Sequence, residues 1–91
     1  MELEQLRIFV AVAETGSFTK GAKRLYISHS STSRAVSALE EEFGLRLIDR
    51  SNHVTCLTPA GEVLFNEAKE LLAFAETIKK RVLAETAVDE R

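Results

Sequence analysis

The side chains best suited to bind another molecule lie together in residues 17–39. This stretch holds basic residues and no acidic one, although the whole chain carries a formal net charge of −2. Ammonium and guanidinium groups donate to phosphates, and short hydroxyl side chains allow close approach to base edges. The stretch therefore predicts contact with a nucleic acid. Its basic residues are Lys20, Lys23, Arg24 and Arg34.

Two short helices must position these side chains. Ser17 and Ser28 each precede apolar residues at steps of three and four, which is typical of a helix with one buried face. Serine is a preferred N-cap because its hydroxyl accepts a hydrogen bond from a backbone N–H two or three residues on. Two such helices joined by a tight turn at residues 26–27 have the outline of a helix-turn-helix. The apolar residues are Phe18, Ala22 and Leu25, then Thr32, Val36, Leu39 and Phe43.

The second of these helices carries a polar side beside its buried face. At ~100° per residue, one arc of roughly 140° holds His29, Ser30, Ser33, Arg34 and Ser37, and none of them is acidic. A helix that enters a major groove needs such small side chains and hydrogen-bond donors. The alternative is a serine-rich surface that is only solvated, or a loop at residues 28–33, because serine is neutral to poor within helices.

A helix is also predicted on the N-terminal side, and it should pack behind the helix pair with Phe9 and Phe18 in the core. It is expected to end at Gly16. Gly21 lies inside the next helix, at a cost of about 1 kcal/mol relative to alanine. Either another helix approaches closely there or the residue is suboptimal. The apolar residues of the N-terminal helix are Leu3, Leu6, Val10 and Ala13.

A hairpin is predicted after the third helix. Gly44 can adopt the left-handed conformation that ends a helix. Residues 45–58 then read as two short strands around a polar turn, which in this position form a wing. Arg50 and His53, near its tip, are placed to contact the DNA backbone or the minor groove. Cys56 is expected to be a small buried residue.

A long helix is predicted from Pro59 onward. Thr58 and Pro59 form a helix start, and the apolar residues that follow alternate steps of four and three, as in a coiled coil. Such a helix is too long for a small domain to cover, so self-association is expected. The alternative is a helix folded back on its own domain. The predicted dimerisation residues are Leu64, Ala68, Leu71, Ala75, Ile78 and Val82.

Composition argues against several other classes of protein. One cysteine and two histidines form neither a disulfide nor a metal cluster, so no metal and no cofactor are expected. No nucleophile–base pair or phosphate-binding glycine loop is present, and the acidic residues are expected on exposed helix faces, so no catalytic residue is expected. No apolar run approaches the roughly 20 residues of a membrane helix, and no signal peptide is recognisable. A soluble, cytoplasmic protein is expected.

Taken in order, these motifs resemble the N-terminal domain and linker helix of the LysR-type transcriptional regulators. The matching segments are LEQLRIFVAVAETGSFT at residues 3–19, AKRLYIS at 22–28, SRAVSALEEEFGLRL at 33–47, RS at 50–51 and LTPAG at 57–61. The resemblance implies a DNA-binding domain that dimerises through antiparallel linker helices and is normally followed by an effector-binding domain. That second domain is absent here, so we expect a fragment whose small-molecule effector would bind only in the missing domain.

Several positions depart from the pattern of that family. His29 stands where glutamine is usual, so imidazole chemistry replaces amide readout of adenine. Gly21 replaces the usual alanine and Thr32 an aliphatic residue, which should loosen the helix pair. The wing often carries arginine near His53 and Cys56, so minor-groove affinity is expected to be lower and mildly dependent on pH.

We therefore predict a mainly α protein: a winged helix-turn-helix of three helices and a two-stranded wing at residues 1–58, then a dimerisation helix at residues 59–91. It should regulate transcription by binding double-stranded DNA as a homodimer or higher homo-oligomer. The alternative is a winged-helix module for protein–protein interaction, which the net negative charge favours. The residues expected to contact DNA are Thr19, Lys20, Ser28, His29, Ser30, Ser33, Arg34, Ser37, Arg50, Asn52 and His53.

Overall fold

Three helices, a two-stranded antiparallel sheet and one long helix follow each other along the chain. A computed structural model describes residues 1–51 and 55–89, with side chains through residue 85, so the predicted wing contacts at Asn52 and His53 lie outside the described residues. The order of elements confirms the predicted winged helix-turn-helix with a long helix after it. The elements are α1 (Leu3–Thr15), α2 (Phe18–Leu25), α3 (His29–Phe43), β1 (Ile48–Asp49), β2 (Cys56–Leu57) and α4 (Pro59–Asp89).

Local hydrogen bonds fix the ends of the helix-turn-helix. The Ser17 hydroxyl accepts from the backbone N–H of Lys20 at 3.1 Å, and the Ser28 hydroxyl accepts from that of Ser31 at 3.0 Å. Gly44 follows α3 with a φ of 68°, a conformation that strains residues with a Cβ. The predicted N-caps of α2 and α3 and the predicted end of α3 are therefore confirmed.

The core lies where α1, α3, α4 and the start of β1 meet. Thr32 is buried as predicted, and its hydroxyl donates to the Ser28 carbonyl at 2.9 Å, so no polar group is left unsatisfied there. The prediction of a buried Phe43 is wrong, because this residue lies one turn beyond Leu39, past the core, and is 44% exposed. The buried residues that form one contiguous cluster are Leu6, Phe9, Val12, Val36, Leu39, Leu47, Ile48 and Ala68.

Gly21 marks a close approach of α1 and α2. A Cβ at this position would lie 3.0 Å from both the Cγ2 and the backbone nitrogen of Val12. Carbon atoms in ordinary contact lie about 3.5–4.0 Å apart, so any larger residue would have to push the helices apart. A helix contact, rather than a merely suboptimal residue, thus explains Gly21 inside α2.

β1 and β2 form a short ribbon in which Ile48 lies opposite Leu57 and Asp49 opposite Cys56. Successive side chains of a strand point to opposite faces. Ile48 is buried and Leu57 packs against the core, so Cys56 points the other way and is exposed. The prediction of a buried Cys56 is therefore wrong.

The first half of α4 packs on the domain, and the rest projects away from it. Leu64 packs against the core and Ala68 is 1% exposed within it. Ala68 therefore belongs to the core of its own domain, and its prediction as a dimerisation residue is corrected. Ala75 is half-buried on the projecting part. The exposed apolar residues beyond Ala68 include Leu71, Phe74, Ile78 and Val82, which are 41% to 58% exposed.

Candidate nucleic-acid interface

The outward side of α3 is polar and free of acidic side chains over residues 29–37. His29, Ser30, Arg34 and Ser37 are exposed on this side, and Ser33 is half-buried. Most of these side chains are small hydroxyl groups, so another surface can approach the helix closely. Residues 29–33 are helical, so the alternative of a loop at this position is wrong.

Arg34 on α3 and Lys20 on α2 are the cations considered for this surface. Arg34 and Lys20 are exposed, and neither forms an ion pair with any residue that the structure describes. Arg24, in contrast, pairs with Glu14 at 2.6 Å, so much of its charge is neutralised within the domain. Thr19 is exposed beside Lys20. Arg34 and Lys20 are therefore better placed than Arg24 to attract an anion.

The Ser28 hydroxyl is used inside the first turn of α3. It accepts from the backbone N–H of Ser31 at 3.0 Å and donates to the Ser31 hydroxyl at 2.9 Å. The hydroxyl of Ser30 lies 3.2 Å away. Ser28 therefore holds the start of α3 in place, beside the exposed side chains that follow it.

Phe18 brings the start of α3 and the start of the wing together. Its ring centroid lies 6.0 Å from that of His29, and the guanidinium carbon of Arg50 lies 5.1 Å from the Phe18 centroid. A guanidinium over an aromatic face is attracted by the ring quadrupole. Phe18 also packs against the core, as predicted. His29 and Arg50, which are far apart in sequence, thus lie on the same aromatic side chain.

The carboxylate of Glu40 holds the first residues of the wing. Its Oε2 accepts from the backbone N–H groups of Leu47 and Ile48 at 2.9 Å and 3.2 Å. Its Oε1 accepts from Nη1 of Arg46 at 3.3 Å and of Arg50 at 3.4 Å. Burial raises the pKa of Glu40, but these hydrogen bonds and positive charges outweigh it and hold the pKa below its ordinary value. Glu40 is 8% exposed, so the expectation of acidic residues only on exposed faces is wrong here.

A second carboxylate orders the chain just after β1. Oδ1 of Asp49 accepts from the Ser51 hydroxyl at 2.6 Å and from the Ser51 backbone N–H at 2.9 Å. Both hydrogen bonds lower the pKa of Asp49 below its ordinary value, and the one from the Ser51 hydroxyl has the larger effect. Asp49 therefore stays ionised beside Arg50 and reduces the positive charge at the base of the wing.

Phe18 and Glu40 organise this surface, although sequence reasoning assigned them only to the core and to an exposed face. The sequence does carry one signal for Glu40. It follows Val36 by four residues and so shares the buried side of α3, where a carboxylate needs partners. Arg46 and Arg50 are the nearest cations that follow it in the chain. The contacts of Phe18 have no local signal, because they depend on how α2, α3 and the wing pack.

No three His, Cys, Asp or Glu side chains in the described part of the chain are grouped so that they could hold a metal ion. None of the helices in residues 1–51 and 55–89 is both long and apolar enough to cross a membrane. The surface around α3 is the candidate site that the described residues offer.

Comparisons with known proteins agree with this geometry. Residues 3–62 match the model of the lysR family of bacterial regulatory helix-turn-helix proteins. The chain is 41% identical over 81 residues to the HTH-type transcriptional regulator TfdT of Cupriavidus pinatubonensis (strain JMP 134 / LMG 1197), which covers 89% of this chain and 36% of TfdT. Among solved structures, it is similar to the BenM DBD in a complex with catB site 1 DNA, with a TM-score of 0.90, 38% identity, and coverage of 92% of this chain and 93% of that chain. It is also similar to the CbnR DBD in a DNA complex, with a TM-score of 0.87, 37% identity, and coverage of 94% and 99%.

The chain spans only part of its longer relatives, from 24% to 56% of the length of three curated proteins that it matches. The family match nevertheless extends from α1 through the wing to the start of α4, and so includes the whole helix-turn-helix. The chain therefore belongs to the lysR family of bacterial regulatory helix-turn-helix proteins.

Proposed function

We propose that this chain binds double-stranded DNA at specific sequences, as the DNA-binding part of a transcription regulator. The observation that carries the proposal is the outward side of α3, where Arg34 has no acidic partner among the described residues and short hydroxyl groups surround it. A major groove about 12 Å wide accepts an α-helix. The similar BenM and CbnR domains are in complexes with DNA, which supports the same role here.

In this proposal, α3 lies in the major groove and the start of the wing contacts the backbone or the minor groove. The side chains at the start of α3 reach base edges, while Lys20 contacts a phosphate from the neighbouring helix. The proposed contacts in the described residues are Thr19, Lys20, Ser28, His29, Ser30, Ser33, Arg34, Ser37 and Arg50. Asn52 and His53 are proposed from the sequence alone.

Arg34→Ala tests the proposal at its central residue. If Arg34 contacts a phosphate, the slope of log affinity against log salt should become shallower by about one unit. If it reads guanine, the preference for that base should instead fall by about 1–3 kcal/mol. Both are measured by fluorescence anisotropy with labelled DNA at several salt concentrations. Arg81→Ala, at an exposed position on α4, removes the same charge and serves as the control.

If Arg34→Ala changed neither the salt slope nor the base preference, Arg34 would not belong to the interface. The target sequence itself comes from selection of bound sites from random DNA at a defined salt concentration. A two-fold symmetric site, with half-sites about one helical turn or a multiple apart, is expected from paired domains. If the wild-type chain selects no sequence, the alternative of a module for protein–protein interaction is favoured instead.

We also propose that α4 pairs with α4 of a second copy. The helix has 31 residues, and its projecting part exposes apolar side chains at coiled-coil spacing, including Leu71 and Ile78. Ile78→Glu should shift the chain toward monomer in sedimentation equilibrium. Ala73 is exposed and does not belong to this set of apolar residues at coiled-coil spacing. Ala73→Glu should therefore leave the dimer intact. Equal effects of the two changes would argue against pairing through this face.

The domains and setting of the whole protein follow from the same proposal. Residues 1–58 contact DNA, residues 59–91 dimerise, and any small-molecule effector binds outside this segment. The relatives compared are transcriptional regulators, and we propose no catalytic role for this chain. The proposed place of action is the cytoplasm.

A further inference from the structure

Glu40 connects the helix proposed to read DNA with the wing beside it. We propose that Glu40 is a positioning residue for DNA binding: it holds Arg50 so that the guanidinium donors that Glu40 does not use face the nucleic acid. The inference rests on the proposed function, because it concerns how the same surface binds DNA.

One buried carboxylate fixes the place where the wing begins. Glu40 lies on α3, and it accepts hydrogen bonds from two successive backbone N–H groups, those of Leu47 and Ile48. The other oxygen accepts from Arg46 and Arg50. Because a carboxylate has two oxygens with about four acceptor sites, one side chain can serve all four donors. The first residues of the wing are therefore tied directly to α3.

Arg50 contacts both Glu40 and Phe18, and these contacts do not use all of its N–H donors. Its Nη1 donates to Glu40 at 3.4 Å, and its guanidinium carbon lies 5.1 Å from the centroid of the Phe18 ring. A guanidinium has five N–H donors, and within the described part of the chain no second hydrogen bond uses those of Arg50. The side chain is 36% exposed. The same Phe18 ring contacts His29, so Arg50 is held beside the first residue of α3.

This arrangement lowers the cost of binding rather than adding charge. A free arginine loses side-chain entropy when it is immobilised on a phosphate, whereas one already held by its own domain loses less. Glu40 itself is negative, so in a purely electrostatic account it opposes DNA. The two accounts therefore predict changes of opposite sign when the Glu40 charge is removed.

The test compares the DNA affinities of the wild type, Glu40→Gln, Arg50→Ala and the double variant on one selected site. The positioning role predicts that Glu40→Gln binds about tenfold more weakly, although it removes a negative charge. It also predicts that the double variant binds no more weakly than Arg50→Ala, because Glu40 acts through Arg50. Glu41→Gln removes the same charge from an exposed position of the same turn, and it should bind within about twofold of the wild type or slightly more tightly.

Each other outcome has a definite meaning, provided that circular dichroism confirms that the variants are folded at the temperature used. Equal or tighter binding by Glu40→Gln, or losses that add in the double variant, would overturn the inference and leave the proposed function standing. A wild-type chain that binds no DNA would overturn both. If Glu40→Gln does not fold, Arg50→Lys replaces it: this change keeps the charge but loses the planar donor group. Wild-type affinity in Arg50→Lys would also overturn the inference.

Discussion

The contact between α4 and the wing leaves no room for a side chain at Gly61, and we expect Gly61→Ala to destabilise the protein strongly. A Cβ at this position would lie 2.0 Å from the carbonyl oxygen of Leu47 and 2.9 Å from its carbonyl carbon. Ordinary contact begins at 3.4 Å, so α4 would have to move by about 1.4 Å. The clashing atoms belong to the backbone, and they cannot rotate away.

The size of the effect follows from the contacts that such a movement would break. The Leu47 carbonyl accepts from the backbone N–H of Thr58 at 3.1 Å, and the Thr58 hydroxyl donates to the Arg46 carbonyl at 2.7 Å. Each bond contributes about 1 kcal/mol, and overpacking adds about 1–3 kcal/mol. Alanine returns at most about 1 kcal/mol in helix propensity. The net loss should be about 2–4 kcal/mol, a large part of the stability of a small domain.

Urea unfolding followed by circular dichroism measures this loss, at one protein concentration because dimerisation would otherwise change the apparent stability. Ala73→Gly, at an exposed position of α4, is the control for helix propensity and should cost about 1 kcal/mol. Gly21→Ala, where the nearest contact would be 3.0 Å, should cost far less than Gly61→Ala. If Gly61→Ala were as stable as the wild type, the close packing of α4 on the Leu47 carbonyl would be refuted.

Three further changes test the parts around the interface. Tyr26 is 96% exposed with a φ of 59°, so Tyr26→Gly should relieve strain and stabilise the chain by about 0.5–1 kcal/mol; a lower melting temperature would contradict this. Ser28→Ala removes the N-cap of α3 and should cost about 1 kcal/mol in urea unfolding, whereas Ser30→Ala should cost little; equal losses would show that the cap is not the cause. Because the folded protein lowers the pKa of Glu40, this group should stabilise fully above about pH 4.3 and progressively less as the pH falls through the folded-state pKa. The free energy of unfolding, measured against pH, should therefore fall in acid for the wild type and fall less for Glu40→Gln. If the two proteins lost the same free energy in acid, Glu40 would not be the group responsible.

Much of this architecture could be predicted from the sequence, because the interactions that specify it are short in range. The N-caps at Ser17 and Ser28 join atoms three residues apart, and Gly44 ends α3 through its own backbone conformation. Helical spacing of apolar residues likewise indicates a buried face without reference to any other element. Because residues 17–39 contain no acidic residue, the sequence already indicated that the outward side of α3 in this stretch would carry no acidic side chain.

Tertiary packing decided how the polar residues are used. Phe18, His29 and Arg50 have no local relation in the chain, and their contact depends on how α2, α3 and the wing pack together. The heptad pattern of α4 is continuous, yet Ala68 is covered by its own domain. A pattern shows which residues seek burial, but which surface covers them depends on the elements that pack there. The elements that pack against α3 likewise decide which of three successive glutamates organises the wing, and that residue is Glu40.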